Sequence, residues 1–338
     1  MIQKASFTDA FFIPDPMPHL PFFRNVPTAS SPDTPQQNIP RALAYMIATG
    51  LTLGISSAAI RAFGADLPPI ETAFFRGSIG FFTLLLLMLT GAKKIPPGRR
   101  KGLLFLRGLF GSVASILYVW AIANMELGLA NALNQTSPIF VCLCAAIFLG
   151  ERFAWWIYAL VLVALFGMSM IVAPGLFETA SPLTLSLLNG AALIAILSAI
   201  LSAFAYTIIK KLQSTESPDT IVLWFLGMST LLPLFSLPFT PWRMPSPQDF
   251  IGLVFAGITA MLGQQLMTRA YRYGPATIVA PFIYISTLSS LMISYILWDE
   301  LPSVMSLSGC GIIIVSAAGI GILPKTKPKK QTEQTPHS

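Results

Sequence analysis

Arg76 lies seven residues past Pro69, inside the apolar run PIETAFFRGSIGFFTLLLLML, and is the most expensive side chain in this 338-residue chain. At 1.5 Å per residue it sits about 10 Å into the run. A central arginine costs roughly 2.5 to 3.5 kcal/mol on membrane-insertion scales, so it must face protein or water and hold an acceptor. Two readings are open. Arg76 takes an anionic or zwitterionic group of a small molecule, or it snorkels outward or pairs with Glu71. That glutamate is five residues earlier, outside the favoured helical spacing of three or four.

A second constellation is the stripe Asn131, Asn134, Gln135, Pro138 and Cys142 within ANALNQTSPIFVCLCAAIFLGERF. At about 100° per residue these five share one arc, and the other faces are Leu, Ile, Val, Phe and Ala. Hydrocarbon cannot satisfy an amide. Asn131, Asn134 and Gln135 therefore either join helices or line a wet cavity. Further along, Gln264, Gln265, Arg269, Tyr271 and Arg272 are the polar part of another run; the two arginines read as interface anchors and the deeper Gln265 as the cavity candidate. Thr277, Pro281, Tyr284 and Leu288 repeat at helical spacing. Tyr118, Trp120 and Tyr206 offer stacking faces for a flat substrate, the competing reading being an aromatic belt at the membrane surface.

Two prolines and two carboxylates complete the set. Proline within a span frees a carbonyl and bends the helix, so Pro138 and Pro281 are either paired bending points of a gate or sites of plain curvature. Glu151 and Glu300 each end an apolar run, in LGERF and WDELP. There a carboxylate caps the N-terminus of the next helix or holds a basic loop residue, with gating as the alternative.

Other chemistries lack their residues. The two histidines, His19 and His337, lie near the chain ends, and Cys142, Cys144 and Cys310 have no ligand-like spacing to either. No metal, no cofactor and no catalytic residue is expected. No GxxxxGK run is present to hold a nucleotide. None of the 14 acidic residues sits mid-span, so proton coupling is not evident; exchange or facilitated diffusion needs no such group.

The elements that must position these side chains are membrane helices. The chain is 54% hydrophobic and 10% charged, with a mean hydropathy of +0.70, far from the quarter charged of soluble domains. Ten apolar runs approach spanning length: 42–62, 69–90, 102–124, 130–149, 154–173, 184–209, 219–239, 250–268, 276–297 and 303–323. Placing the N-terminus inside puts 18 of the 21 basic residues on that side, which makes both termini cytoplasmic. The net charge of +7 is thus a topology signal and points to no nucleic acid. Residues 1–40, rich in proline, read as a disordered cytoplasmic tail and 324–338 as a basic one.

An offset of 149 superposes Arg61 on Lys210, Pro69 on Pro218 and Glu151 on Glu300, and Gly128-Leu-Ala130 meets Gly274-Pro-Ala276 at 146. Five spans per half, 41–175 and 183–323, reverse the second half in the membrane. The fold class is therefore all-α: an integral membrane protein of ten transmembrane helices in two inverted five-helix repeats, with a site expected at the midplane between them.

With LGERF and WDELP closing a span in each half, APFIYISTLSSLMISYILWDELP from Ala280 and PPIETAFFRG from Pro68, the chain resembles the EamA-type transporters of the drug/metabolite transporter superfamily. The resemblance covers about 41–323. It implies a ten-helix carrier in the inner membrane moving a small metabolite, amino acid or drug by alternating access, commonly outward. Import or exchange of a metabolite such as S-adenosylmethionine or riboflavin is the alternative within the family. A membrane-embedded enzyme is the rival from another class, disfavoured because no His, Asp, Ser or Cys cluster is visible. The expected partners are a small-molecule substrate and the lipid bilayer, with a homodimer left open.

Overall fold

Hydrocarbon offers a peptide group no partner, so a chain this apolar must satisfy its backbone within each segment. The computed structural model does so with helices alone among its described residues, 38–63, 67–91, 98–124, 133–151, 155–172, 190–239, 242–299 and 303–322. They are α1 (Ile39–Phe63), α2 (Pro69–Leu89), α3 (Lys101–Asn124), α4 (Ser137–Leu149), α5 (Trp155–Val172), α6 (Gly190–Leu212), α7 (Pro218–Leu234), α8 (Pro247–Tyr273), α9 (Ala276–Trp298) and α10 (Val304–Ile322). Six are long and apolar enough to cross a membrane, and α4, α5, α7 and α10 contain shorter apolar helices. The protein is an all-α, ten-helix membrane protein.

Two spans are less regular than their hydropathy suggests. The run expected at 130–149 becomes continuous α-helix only at Ser137. Pro138, in its first turn, has no N–H to donate to the preceding turn, so the helical hydrogen-bond ladder is interrupted there. The counterpart α9 is α-helical over Ala276–Val279, tightens to a 3-10 segment over Ala280–Tyr284 around Pro281, and resumes as α-helix at Ile285. Asn131, Glu300 and both tails fall outside the described residues.

The internal repeat has a local signature. Pro69 and Pro218 each start the second helix of a half, where a missing N–H costs nothing. The fourth helices end in left-handed residues, Gly150 (φ 65°) and Asp299 (φ 55°), each directly before the repeated glutamate. That cap turns the backbone sharply out of each helix.

The halves interleave. Helix α1 packs along α8 and α9 of the other half, while α6 packs along α3 and α4; α2 meets α7, and α5 meets α10. Each such contact has its mate under exchange of the halves. Small residues permit the close approaches. Gly50 faces Ile285, Ser289 Oγ donates to the Gly50 carbonyl at 2.8 Å, and Gly54 lies against Ser289. At the α5–α10 crossing Gly167 faces the Gly309 carbonyl, which a Cβ would approach to 2.8 Å.

Because that neighbour is backbone, Gly167→Val forces the helices apart. The expected outcome is a loss of about 1 to 3 kcal/mol, read as a lower melting midpoint in detergent, whereas Gly311→Val, which faces open space, leaves it unchanged.

Candidate functional site

Between the halves lies a cavity of about 800 Å³, walled by α1, α2, α3, α5, α6, α7, α8 and α9 with the segment before α4. Ile60, Leu67, Tyr118 and Pro233 line it toward the face where α1 ends, here the far face; Arg107, Tyr206 and Gln264 lie at its deep end. Hydroxyls and amides dominate the polar lining: Ser57, Ser112, Ser115, Ser198, Ser202, Ser229, Ser286, Ser290, Thr72, Thr287, Asn134 and Gln135. This is a chamber that can hold a polar molecule inside an apolar bundle.

Arg76 projects into this cavity from α2. Glu71 is occupied elsewhere: both its oxygens accept from the Arg243 main-chain N–H at 3.1 Å, fastening the loop before α8 to the far end of α2. Among the described residues, then, no carboxylate answers Arg76 across the cavity. The deepest cation is Arg107, in the second turn of α3 and 1% exposed. Its Nη2 donates to Gln264 Oε1 at 3.2 Å, and its guanidinium lies over the Phe225 ring, 4.3 Å from the centroid. Tyr206 is within electrostatic reach of both arginines and stacks on Tyr271, with centroids 6.1 Å apart.

The remaining sequence candidates divide by depth. Asn134 donates to Ser198 Oγ at 2.8 Å, and Ser198 in turn to the Ala114 carbonyl, so this amide both joins α6 and lines the cavity. Gln135 lines it opposite Thr287, with Nε2 to Oγ1 at 3.4 Å. Tyr118 and Tyr206 are in the lining. Tyr284 is not: it is fully buried and donates to the Gln135 carbonyl at 3.0 Å, bracing the broken start of α4. Gln265 is buried beside the cavity while its neighbour Gln264 faces in, and Trp120 is 44% exposed on the outer surface. Pro138 and Pro281 are buried in the α4–α9 packing.

The face where α1 begins, the near face, is closed below the cavity. Glu151, from the first half, accepts from the main-chain N–H groups of Ala276 (3.1 Å) and Thr277 (3.3 Å) and from the Thr277 hydroxyl (3.2 Å), capping α9. Lys210 caps the opposite pole beside it, donating to the carbonyls of Tyr271 (2.9 Å) and Gly274 (2.6 Å) at the end of α8. Arg41 lies over the Tyr273 ring at 4.3 Å, Tyr273 stacks on Tyr45, and Gln213 Nε2 donates to the Thr268 carbonyl at 2.7 Å. Helix ends carry opposite partial charges, and here a carboxylate and an ammonium match both.

Arg107, Gln264 and Lys210 are the site residues that sequence reasoning missed. Arg107 and Lys210 read as topology signals because they lie on the basic side of their spans. The available signal for Arg107 was its place six residues inside the span from Lys101, about 9 Å of depth.

Two inverted, interleaved halves around a hydrophilic chamber, closed at one face, make a secondary membrane transporter. The chain belongs to the EamA-like transporter family, whose model matches it twice, at residues 40–173 and 189–322. It is 32% identical over 274 residues to the pseudopaline exporter CntI of Pseudomonas aeruginosa (strain UCBPP-PA14), covering 80% of this chain and 92% of that one. The riboflavin transporter of Vibrio cholerae is 25% identical over 82% of this chain and 91% of the relative. An S-adenosylmethionine uptake transporter of Rickettsia bellii is 24% identical over 74% and 83%. A solved crystal structure superposes with a TM-score of 0.70 at 17% identity, covering 84% of this chain and 98% of the other, and shares the fold. The protein is a multi-pass membrane carrier for a small metabolite.

Burial holds the Glu151 carboxyl above the usual carboxylate range, against the pull of Lys210 and of its three donors. Cys142, Tyr158 and Tyr271 also surround it. Opening the near face would return Glu151 to water and lower its pKa, so the closed face binds the proton more tightly. Acid therefore favours closure and rising pH favours opening. Spin labels across the near face should separate as the pH rises in the wild type and show no pH response in Glu151→Gln; a response retained by that variant would assign the titration elsewhere.

Proposed function

We propose that this carrier exports a small polar metabolite across the inner membrane, with its near face cytoplasmic and Arg76 holding an acidic group of the substrate. The cavity carries the reading: it places a guanidinium and a wall of hydroxyls and amides at the centre of the bundle. Orientation rests on the basic residues, 18 of 21 of which the assigned topology puts on the near side. Export rests on the relative with 32% identity, an exporter.

In this reading the structure is one end of an alternating cycle, in which the chamber reaches the far side and the cap of Glu151 on α9 keeps the near side shut. Release of that cap, with α9 bending at its 3-10 segment, opens the cytoplasmic side. The chain works as a carrier throughout, and no bond of the substrate changes. Import is the second reading, favoured by the S-adenosylmethionine uptake transporter among the relatives, at 24% identity.

The test is uptake of a labelled metabolite panel by inside-out and right-side-out vesicles. Export predicts accumulation in inside-out vesicles, and accumulation confined to right-side-out vesicles would reverse the direction. Arg76→Ala at matched expression should lower transport about 10- to 100-fold, since a hydrogen bond to a charged group contributes about 1.5 to 3 kcal/mol. Full transport in that variant would remove Arg76 from the site.

A further inference from the structure

Arg76 and Arg107 line one cavity, and no aspartate or glutamate is among its described lining residues. Arg107 is 1% exposed, and its buried Nε has no hydrogen-bond partner. Gln264 and the Phe225 ring solvate its guanidinium, but an amide oxygen and a ring face leave the positive charge uncancelled. A structural arginine at this depth is normally retained with a paired carboxylate, because an uncompensated buried charge is strongly destabilising. Here two such charges look into the same chamber, and Tyr206, which also lines it, is within electrostatic reach of both. Among the described residues no counter-charge faces this pair.

We infer that the transported metabolite carries two negative charges, as two carboxylates or one phosphate dianion, with Arg107 as the second anion-holding residue beside Arg76. This rests on the carrier reading above and names its substrate class. It also supplies a driving force. The loaded site is electrically neutral, while the empty site returns to the cytoplasmic face carrying two positive charges. One cycle thus moves two negative charges outward, which an inside-negative potential favours by about three decades of accumulation ratio per 100 mV. No intramembrane carboxylate is then needed for coupling.

The experiment has two stages on the purified full chain. Thermal shift in detergent compares succinate, glutarate, glycerol 3-phosphate and inorganic phosphate with acetate, leucine and lysine at matched ionic strength. At least one dianion should raise the melting midpoint, its carboxylate or phosphate nature separating the two sources of charge. Arg76→Gln and Arg107→Gln should each weaken that response ten-fold or more, and Arg107→Lys, which keeps the charge, should retain more of it than Arg107→Gln. If Arg107→Gln does not fold, the comparison of Arg107→Lys with Arg76→Gln still reads the charge dependence. The stabilising dianion is then loaded into proteoliposomes with a valinomycin-clamped potassium potential, where its flux should follow the sign of the potential. Stabilisation only by neutral or cationic compounds, no stabilisation by any dianion, or dianion flux indifferent to potential would each overturn the inference. Directional transport of a neutral solute in the vesicle assay would do so too while leaving the export reading standing.

Discussion

A polar group inside a bilayer has no water to fall back on, and this constraint orders the rest of the structure. Serine and threonine hydroxyls return their hydrogens to carbonyls, some one turn back, as with Thr207 on Ala203, and some on a neighbouring helix, as with Ser56 on Ala256 and Ser289 on Gly50. The helix ends that are buried at the near face receive Glu151 and Lys210. In the cavity, Arg76 and Arg107 stand without a carboxylate among the described lining residues, and Arg107 Nε has no hydrogen-bond partner. That unbalanced charge among the described residues is the observation on which the proposed binding site rests.

The interleaving of the halves gives the cavity its mechanical character. Because α1 lies on α8 and α9, and α6 on α3 and α4, neither half owns a complete wall. A displacement of one half against the other moves every wall at once. The α9 segment is the soft part of this arrangement, with a 3-10 stretch whose hydrogen bonds are poorer than those of α-helix. Its N-terminus is held by a residue from the opposite half, so the cap from Glu151 links the two halves directly beneath the chamber.

Charge placement serves two ends in one sequence. In the topology read from the sequence most basic residues lie at the ends of their spans, and a few of the same type lie six or seven residues deeper. Arg107 and Lys101 belong to one helix and differ by less than two turns, yet Lys101 is exposed while Arg107 is among the most buried large side chains of the protein. Depth, and the presence of Phe225 and Gln264 around it, separates Arg107 from the exposed lysine of its own helix.

Sequence alone determined the helical class, the number of spans, the inverted repeat and the position of Arg76, because each depends on local quantities: apolar run length, the insertion cost of charge, and proline and glutamate recurring at one offset. Tertiary structure decided the rest. The five-residue stripe on the fourth span reads as one face, yet of its four described members only Asn134 and Gln135 line the cavity, while Pro138 and Cys142 are buried in the helix packing. Gln264 rather than Gln265 faces inward, a difference of 100° that hydropathy cannot resolve when both neighbours are amides. Glu151 caps α9, 125 residues away in the chain, and not the helix that follows it. Such pairings depend on which helices lie side by side, a question that periodicity within a single helix never poses.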